Sequence, residues 1–524
     1  MDREISRRQF VKMAGVIAGA GVAAGAGMVR PRWSFAQIPA VPTNLELVTV
    51  TDSSFALTWF TGDPTSLDEY RRPAPVPSDT VLYYGSDPNP LNWQKVVVEE
   101  ETPYHYVEIE GLEPGTSYYF RAESGGIPAA PVSGLPEPAA AGILQTLTPP
   151  SGRHLYTIAW MNDLHFGETV SGLATSDPME FPPGFHVDPA DPYWRFMGRG
   201  ALADMRERGA ELLLVGGDLT AEAEPDDVRE VRTTLDTFGA YRRNYFVARG
   251  NHDRAHGGGS EGDPGYATCH AKAGDKYDCM ADCFFPDGKS FFSTDYRGLH
   301  IVGLDSADIQ SGSGVLSHYG QTEWLKADLE AHASTPTIIF FHHPVTEMAS
   351  ATAAPPVVFT VNQTDAQAFM EMVAGTSVIA VYHGHTHRNW VTTSPTTGSL
   401  PYIEVGATKE YPGGYALVKV YEGGLMVNFY KTRSAKARAW SERSRGEYLG
   451  LYPYYTLGRL SDRNLVIPSA FPVKDTGRPS PATDVAGRTG SRLPATGSAL
   501  AGAGALLVAG GAAARALSPR PRGA

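Results

Sequence analysis

Cysteine is scarce in this chain of 524 residues. The three that occur, Cys269, Cys279 and Cys283, all lie within one short segment. A scaffold held together by many disulfides is therefore excluded. If the chain folds outside the cell, one disulfide and one leftover thiol could form. Metal binding is the alternative, but the Cys-x9-Cys-x3-Cys spacing suits zinc poorly, so we predict a local disulfide that staples a loop.

Positive charge is also in short supply. Of the formal net charge of −13, residues 1–36 contribute +4 and residues 497–524 contribute +3, which leaves −20 on residues 37–496. Such an acidic body would repel the phosphates of duplex nucleic acid, so we expect no nucleic acid as a structural partner. A small phosphate ester held at a metal site remains compatible with this charge.

No strongly apolar run opens the chain, although its first residues follow the order of an export signal. Residues 6–12 read SRRQFVK, a weakly apolar run rich in glycine and alanine covers 13–29, and Ser34-Phe35-Ala36 offers small residues for cleavage. We predict a signal peptide over 1–36. Its paired arginines resemble a twin-arginine signal, which implies export of the folded protein by the twin-arginine machinery. An uncleaved membrane anchor is the alternative, but so many glycines make a poor spanning helix.

The C-terminus carries a second targeting pattern. Leu493-Pro494-Ala495-Thr496-Gly497 is followed by an apolar run and a basic tail. This order resembles a sortase sorting signal over 493–524, preceded by a wall-spanning linker over 471–492. The resemblance implies cleavage by sortase between Thr496 and Gly497 and covalent attachment to the peptidoglycan of a Gram-positive cell wall. A linker before a plain membrane tail is the alternative.

Residues 40–148 alternate apolar and polar side chains, with turn residues at short intervals. The pattern predicts a β-sandwich. The stretch 112–121 resembles the tyrosine-corner region of fibronectin type III domains, which implies that the Tyr118 hydroxyl hydrogen-bonds back to the preceding loop. Trp59 is expected to face the core. This domain carries no obvious chemistry.

Residues 149–435 alternate strand-like and helix-like runs, which predicts an α/β layered fold. Long loops at 166–192 and 255–290 are of the kind that is often functional in such folds. Residues 436–470 are rich in aromatic side chains, and we predict an extension packed on the catalytic domain. The predicted helices cover 193–209, 225–238 and 322–333.

Metal-capable side chains follow five strand-like runs of this second domain. Ligands gather at the carboxyl ends of strands in an open α/β sheet, so we expect these side chains to converge although they span 225 positions. His385 and His387, two positions apart, are expected to point to one side of a strand. Nitrogen and oxygen donors without thiolate suit Mn, Fe or Zn. The set contains Asp163, His165, Asp218, Asn251, His252, His342, His343, His385 and His387.

Most of these residues also have a structural interpretation when taken singly. Asp163, Asp218 and Asn251 could be turn residues, and His342 could be a core histidine with satisfied hydrogen bonds. Their joint occurrence at five strand ends favours a metal centre over these separate explanations.

Three histidines lie beside the motif positions but off the pattern. We expect His343 and His383 to support the structure around the site. His256 is close to His252 in sequence and could touch the substrate.

In chain order the pattern reads D-x-H, GD, GNH, H-x-P and GH-x-H, and it resembles the calcineurin-like metallophosphoesterase superfamily over about 155–425. The resemblance implies an αββα sandwich with two metal ions bridged by Asp218. It implies that a metal-bound hydroxide attacks phosphorus and that His252 contacts the phosphate and helps the leaving group depart. Asp253 would orient either His252 or the turn. The first metal would be held by Asp163, His165, Asp218 and His387. The second would be held by Asp218, Asn251, His342 and His385.

The sandwich followed by this domain also resembles purple acid phosphatases, with two departures. Those enzymes carry a tyrosine three residues after the bridging aspartate, where this chain has Ala221. Their first motif lacks a second histidine, whereas His165 is present here. We therefore expect no purple band. The D-x-H form is closer to cyclic-nucleotide and glycerophosphodiester phosphodiesterases.

The sequence as a whole predicts a secreted, wall-attached phosphoesterase with a dinuclear metal centre of Mn, Fe or Zn. Its substrate would be a small phosphate ester, cleaved by a phosphatase of the acid phosphatase kind. A phosphodiesterase acting on cyclic nucleotides or glycerophosphodiesters is the first alternative. The second belongs to another class, a surface adhesion protein with an inactive phosphatase domain, and the intact ligand set argues against it.

Overall fold

The computed structural model describes most of the chain between residues 40 and 477. The predicted signal peptide and sorting signal, with Thr496 and Gly497, lie outside the described residues, as does the linker beyond residue 477. Within the described residues, no helix is long and apolar enough to cross a membrane. The described ranges are 40–67, 72–131, 141–171, 185–257, 268–269, 271–272, 276–310, 312–353, 360–445 and 452–477.

The N-terminal region is rich in strands, as its alternating sequence predicts. The Tyr118 hydroxyl accepts a hydrogen bond from the Glu113 backbone N–H at 3.0 Å, and Trp59 is 2% exposed, as expected. The strands are β1 (Val41–Val50), β2 (Ser54–Leu67), β3 (Pro73–Pro75), β4 (Ser78–Gly85), β5 (Gln94–Thr102), β6 (Tyr104–Glu110), β7 (Ser117–Ser124), β8 (Ile127–Pro128) and β9 (Ile143–Gln145).

These strands form two sheets around one apolar core. In the first sheet β2 pairs with β1, β3 and β6, and in the second β4 pairs with β5 and β7 while β7 also pairs with β8 and β9. The core between the sheets contains Leu57 and Trp59 of β2, Leu82 of β4 and Phe120 of β7. Residues two apart on β2 share this core because successive side chains of a strand point to opposite faces.

The α/β region that follows β9 contains two six-stranded sheets and several short strand pairs in its loops. Its strands, in chain order, are β10 (His154–Met161), β11 (Val170–Ser171), β12 (Phe185–His186), β13 (Leu212–Val215), β14 (Tyr245–Val247), β15 (His256–Gly257), β16 (Ala271–Lys272), β17 (Lys276–Tyr277), β18 (Phe292–Tyr296), β19 (Leu299–Gly303), β20 (Ile309–Gln310), β21 (Ser313–Gly314), β22 (Thr337–Phe340), β23 (Val378–His383), β24 (Trp390–Thr392), β25 (Tyr402–Glu404), β26 (Gly414–Tyr421), β27 (Gly424–Lys431) and β28 (Asn464–Pro468).

The three predicted helices are present. The second ends earlier than predicted because the Phe238 N–H bonds to the Leu235 carbonyl at 2.9 Å, a tighter turn than the α-helix allows. The helices are α1 (Tyr193–Glu207), α2 (Pro225–Leu235), α3 (Cys279–Phe284), α4 (Gln321–Ala331), α5 (Glu347–Thr352), α6 (Gln363–Val373), α7 (Ala435–Ser444), α8 (Tyr452–Thr456) and α9 (Leu460–Arg463).

The two sheets stack face to face, and each carries helices on its outer face. The strand order is β14-β13-β10-β26-β27-β28 in one sheet and β18-β19-β22-β23-β25-β24 in the other. Ile158 and Trp160 of β10 enter the core between the sheets, whereas Ala159 and Met161 join the core under α1 and α2. Both faces of these strands are buried, which explains why their sequences are continuously apolar.

The N-terminal region and the α/β region share a buried junction. The fully buried Glu46 of β1 lies 2.6 Å from Lys431 Nζ and 2.5 Å from an Arg445 guanidinium nitrogen. Burial alone would raise the pKa of Glu46, but these two cations lower it below its usual range. Val48, on the same strand, enters the core between the two six-stranded sheets. The predicted C-terminal extension also contributes a strand, since β28 pairs with β27.

The predicted local disulfide is present. It joins Cys269 to Cys279, and Cys283 is a free, partly buried thiol. The Asp278 carboxylate caps α3 by accepting a hydrogen bond from the Ala281 N–H at 2.9 Å and also pairs with Arg249 at 3.2 Å. The stapled segment is thereby attached next to Gly250 and Asn251.

Candidate metal centre

The predicted ligands meet where the two stacked sheets present the carboxyl ends of their parallel strands. Strands β10, β13 and β14 run parallel in one sheet, and β22 and β23 run parallel in the other. Asp163, Asp218 and Asn251 follow the first three strands, and His342 and His385 follow the last two. Parallel strands end at the same edge, so residues far apart in sequence lie side by side.

Five predicted ligands adopt left-handed backbone conformations that non-glycine residues rarely occupy. Each such residue costs about 1–3 kcal/mol, so the surrounding structure must enforce it. Backbone hydrogen bonds do so at the first turn, where the Leu164 and His165 N–H groups donate to the Asp218 carbonyl at 2.8 and 3.0 Å. The φ angles are 51° at Asp163, 47° at His165, 47° at Asp218, 71° at His385 and 53° at His387.

The expectation for His385 and His387 was wrong in one respect. Strand β23 ends at His383, so neither residue lies on a strand, and both have left-handed backbone conformations. His385 Nδ1 lies 3.1 Å from His342 Nε2, whereas His387 Nε2 lies 3.3 Å from Asp163 Oδ1. The left-handed turn redirects the chain between them, which a pattern with strand periodicity does not predict.

Two ligand groups can be distinguished. In the first ligand group, potential ligand atoms of Asp163, His165 and His387 lie within 4.8 Å of one another. The second ligand group contains His342 and His385, whose facing nitrogens are 3.1 Å apart.

The Asp218 carboxylate lies between the two groups. Its Oδ2 is 3.0 Å from His342 Nε2 and 3.6 Å from His165 Nε2, so one oxygen faces both sides. Gly250 makes this arrangement possible, because a Cβ at that position would lie 2.1 Å from Asp218 Oδ1. The same Oδ1 accepts the His252 N–H at 2.9 Å.

Two buried polar atoms of the site lack any hydrogen-bond partner among the described residues. These atoms are His165 Nε2 and Asn251 Oδ1. A buried polar atom without a partner is costly unless something absent from the protein chain satisfies it. Burial also lowers the pKa of His165 and His385 well below the usual range, which leaves neutral imidazoles. Neutral imidazole, amide and carboxylate donors fit cations such as Mn, Fe or Zn.

Neighbouring carboxylates raise the pKa of the other two imidazoles, those of His342 and His387. Burial disfavours the charged form of His342, but the charge of Asp218 outweighs burial and raises the pKa to about 9. Burial is likewise outweighed at His387, where Asp163 and then Glu410 raise the pKa to about 10. His342 and His387 therefore carry protons at positions where positive charge is favoured. Cation binding would release these protons.

Several residues that sequence reasoning missed position the ligands. Glu410 Oε1 lies 2.7 Å from His387 Nδ1, and the fully buried Lys409 Nζ lies 3.3 Å from Glu410 and 2.7 Å from Glu168. Asn162 donates a hydrogen bond to Asp163. The charged pair Lys409-Glu410 between the apolar strands β25 and β26 is a sequence signal that could have revealed this support.

His252 lies at the open side of the site. Its Nδ1 is 2.6 Å from the Ala221 carbonyl oxygen, so Nδ1 carries a proton and donates it. Its side chain is 37% exposed, and its ring centre is 4.7 Å from that of His165. The remaining nitrogen, Nε2, is available to a ligand at the site.

Asp253 orients the turn and not the His252 ring. Its two carboxylate oxygens accept hydrogen bonds from the Leu219, Thr220 and Gly250 N–H groups, each at 3.0 Å. Burial, and then the charge of Asp218, raises the pKa of Asp253 to about 6. Asp253 thereby joins the turn that carries Asp218 to the turn that carries Asn251.

His256 belongs to neither ligand group in the part of the chain that the structure describes. It belongs to the short strand β15, where it pairs with Tyr277 of β17. None of the potential metal-binding groups found among the described residues includes it.

Comparison with known proteins identifies a family over part of the chain. Residues 156–389 match the family described as calcineurin-like phosphoesterase. No curated protein matches the chain. Distant similarity to solved structures includes purple acid phosphatase PPD1 from yellow lupin (Lupinus luteus) seeds, with 13% identity, 76% of this chain and 73% of that chain covered, and a TM-score of 0.38.

Two further solved structures are similarly distant. A dimetal phosphatase from Danio rerio has 12% identity, with 61% of this chain and 100% of that chain covered and a TM-score of 0.41. PhoD has 12% identity, with 74% of this chain and 85% of that chain covered and a TM-score of 0.35. Similarities of this size carry no argument about the reaction.

Proposed function

We propose that this metal-dependent phosphoric ester hydrolase, whose residues 156–389 match the calcineurin-like phosphoesterase family, releases phosphate from phosphate monoesters at a centre of two cations. The observation that carries this proposal is the position of Asp218. One carboxylate oxygen faces an imidazole from each ligand group, at 3.0 and 3.6 Å, as a bridging ligand requires.

The proposed ligands divide between the two cations as the distances suggest. Asp218 is assigned to both, and the unpartnered Asn251 Oδ1 and His165 Nε2 each gain a partner when the cations bind. Asp163, His165, Asp218 and His387 would hold the first cation. Asp218, Asn251, His342 and His385 would hold the second.

When bound, the two cations would acidify a water molecule and withdraw electron density from the phosphoryl oxygens. The chain's own contribution to bond cleavage is assigned to His252. Its Nδ1–H is fixed by the Ala221 carbonyl, so a protonated ring presents Nε2–H toward the site. That proton is in position to stabilise the departing ester oxygen as negative charge develops on it.

A phosphodiesterase acting on cyclic nucleotides or glycerophosphodiesters is the second candidate. His165 favours it, since the D-x-H motif resembles that of phosphodiesterases and the buried, unpartnered Nε2 makes the second histidine a ligand candidate. The adhesion hypothesis requires an inactive site, and the complete set of ligand candidates in two adjacent groups weighs against it.

We also propose that the protein is exported and attached to the cell wall of a Gram-positive bacterium. The support is in the sequence: SRRQFVK at 6–12 for the twin-arginine machinery, and LPATG at 493–497 for sortase and peptidoglycan. The proposed fibronectin III-like identity of the N-terminal region is supported by the Tyr118 hydrogen bond to the Glu113 N–H.

The decisive experiment compares initial rates on p-nitrophenyl phosphate and bis(p-nitrophenyl) phosphate, with the metal-free full chain and Mn²⁺, Zn²⁺ or Fe²⁺ added separately. The proposal expects much faster cleavage of the monoester. Much faster cleavage of the diester would establish the second candidate. If no metal supports turnover of either ester, the adhesion hypothesis replaces both.

A further inference from the structure

His343 lies against the second ligand group although no motif assigns it a role. One nitrogen from each of His342, His343 and His385 lies within 4.8 Å of the others. The ring centre of His343 is 5.0 Å from that of His342 and 4.4 Å from that of His385. Three imidazoles therefore surround the proposed second cation position, whereas the sequence predicted two imidazoles there.

The hydrogen bonds of His343 leave one nitrogen unused. Its Nδ1 is 2.9 Å from Ser306 Oγ, and its backbone N–H donates to the same oxygen at 3.2 Å. Its Nε2 is buried and has no hydrogen-bond partner among the described residues. Since Ser306 Oγ can accept the Nδ1 proton, Nε2 can keep a free lone pair.

Ring orientation separates this cluster from another histidine cluster in the protein. His300 and His332 also lie near one carboxylate, Asp295, but their rings are stacked, with centres 3.7 Å apart and planes inclined by only 15°. An imidazole nitrogen binds a cation along its lone pair, in the ring plane, so parallel stacked rings share no binding point. Both nitrogens of His300 are also taken, by Asp295 and Asp328 at 2.8 Å.

The rings around the second ligand group are inclined to one another instead. The planes of His342 and His343 meet at 86°, those of His342 and His385 at 73°, and those of His343 and His385 at 46°. Planes that intersect allow three lone pairs to converge on one point. We propose that His343 Nε2 is a further ligand of the cation held by His342 and His385, an inference that rests on the proposed two-cation centre.

This assignment makes the two cation positions chemically different. The second position would have three imidazoles with the oxygens of Asp218 and Asn251, whereas the first has two imidazoles with two carboxylates. A position richer in nitrogen favours Zn²⁺, Co²⁺ or Fe²⁺ over Mg²⁺ and Ca²⁺, which prefer oxygen ligands. Ser306 then acts as a positioning residue that holds the ring by Nδ1, as partners of metal-bound histidines do.

Metal binding by the full chain tests the proposal without reference to turnover. The metal-free protein is titrated with Co²⁺ while visible absorption is recorded, and Zn²⁺ affinity is measured by competition with a chelator. Relative to the wild type, His343→Phe is expected to weaken one of the two Zn²⁺ sites at least 100-fold and to change the Co²⁺ spectrum. Ser306→Ala, which keeps the imidazole, is expected to weaken the same site by about 10-fold.

His383→Phe is the matched control. His383 is as buried as His343, and its ring packs on Phe341 at 4.6 Å. Within the part of the chain that the structure describes, neither of its nitrogens has a hydrogen-bond partner. This variant should bind both ions as the wild type does. If His343→Phe does so as well, the inference is overturned and His343 is structural. If the wild type binds no pair of ions, the two-cation centre itself fails. Should His343→Phe not fold, Ser306→Ala decides, and unchanged affinity for both ions overturns the inference.

Discussion

The Glu410 carboxylate fixes the orientation of His387. Glu410 Oε1 lies 2.7 Å from Nδ1 of the ring, while the opposite nitrogen, Nε2, lies 3.3 Å from Asp163 Oδ1. A carboxylate that accepts the Nδ1 proton keeps the Nε2 lone pair directed at the cation position and makes it a stronger donor.

Glu410→Gln is therefore expected to weaken one metal site about 10–100-fold, the usual range for such partners. Turnover should recover at high metal concentration, because the ligand itself remains. Metal-dependent rate curves measure the effect. Glu422→Gln, which removes a carboxylate paired with the exposed Arg153, is the control and should leave the curve unchanged. If both variants give the same metal-dependent rate curve, Glu410 does not support a metal site.

Asn251→Ala is expected to abolish turnover without lowering the stability of the metal-free chain. Its Oδ1 is buried and has no hydrogen-bond partner among the residues that the structure describes, and such an atom costs about 1–3 kcal/mol in the metal-free chain. The metal-free variant should thus melt no lower than the wild type, while turnover with added metal should be lost. Thermal melting and steady-state rates on the same preparations test both parts. A variant that keeps wild-type turnover would contradict the assignment of Asn251 as a ligand.

Asp218→Ala should abolish turnover for a different reason. The variant removes the one carboxylate placed between the two ligand groups, so the pair of cations loses its shared ligand. Metal analysis of the purified variant is expected to show fewer than two ions per chain, with the far-ultraviolet circular dichroism unchanged. Two tightly bound ions in this variant would argue against the bridging role.

His252→Ala is expected to slow turnover by about 10²–10⁴-fold, the usual contribution of a general acid. The loss should shrink for esters with leaving groups of low pKa, since these depart without a proton. A series of substituted phenyl phosphates measures this dependence. The same loss for every leaving group would assign His252 to phosphate binding alone.

His105 should make the N-terminal region sensitive to acid. Burial, followed by the charge of Arg438, lowers the pKa of His105 to about 3, and its ring stacks on Trp59 at 4.7 Å. A folded pKa below the unfolded value of about 6.5 adds stability above pH 6.5, which is lost as the pH falls toward 3. The loss is at most about 1.4 kcal/mol per pH unit for one proton.

The variant His105→Gln removes this titration. At pH 7 it should melt below the wild type, because Thr80 and Thr61 lose hydrogen bonds to the ring. Between pH 6.5 and 4.5 its melting temperature should fall less steeply than that of the wild type. Parallel curves over this interval would show that His105 does not contribute to acid sensitivity.

The sequence by itself determined the elements and the chemistry offered at their ends. Apolar runs such as IIFF at 338–341 indicated strands, and polar side chains directly after them indicated a site. A local disulfide was also predicted without its pairing, which the structure shows to be Cys269 with Cys279. The Tyr118 hydrogen bond was implied by the resemblance to a tyrosine corner. Each of these features depends on local spacing, which the sequence displays directly.

The family resemblance implied which side chains form each ligand group, but only the tertiary structure showed how the chain brings them together and which further residues support them. Left-handed turns place His385 with His342 and His387 with Asp163, although the two are separated by one residue. Glu410 reaches His387, and His343 reaches the second ligand group, through turns that no periodicity predicts. The physical reason is that these contacts join residues from separate strands and turns. Their geometry is therefore set when the two sheets pack together and not by neighbours in the chain.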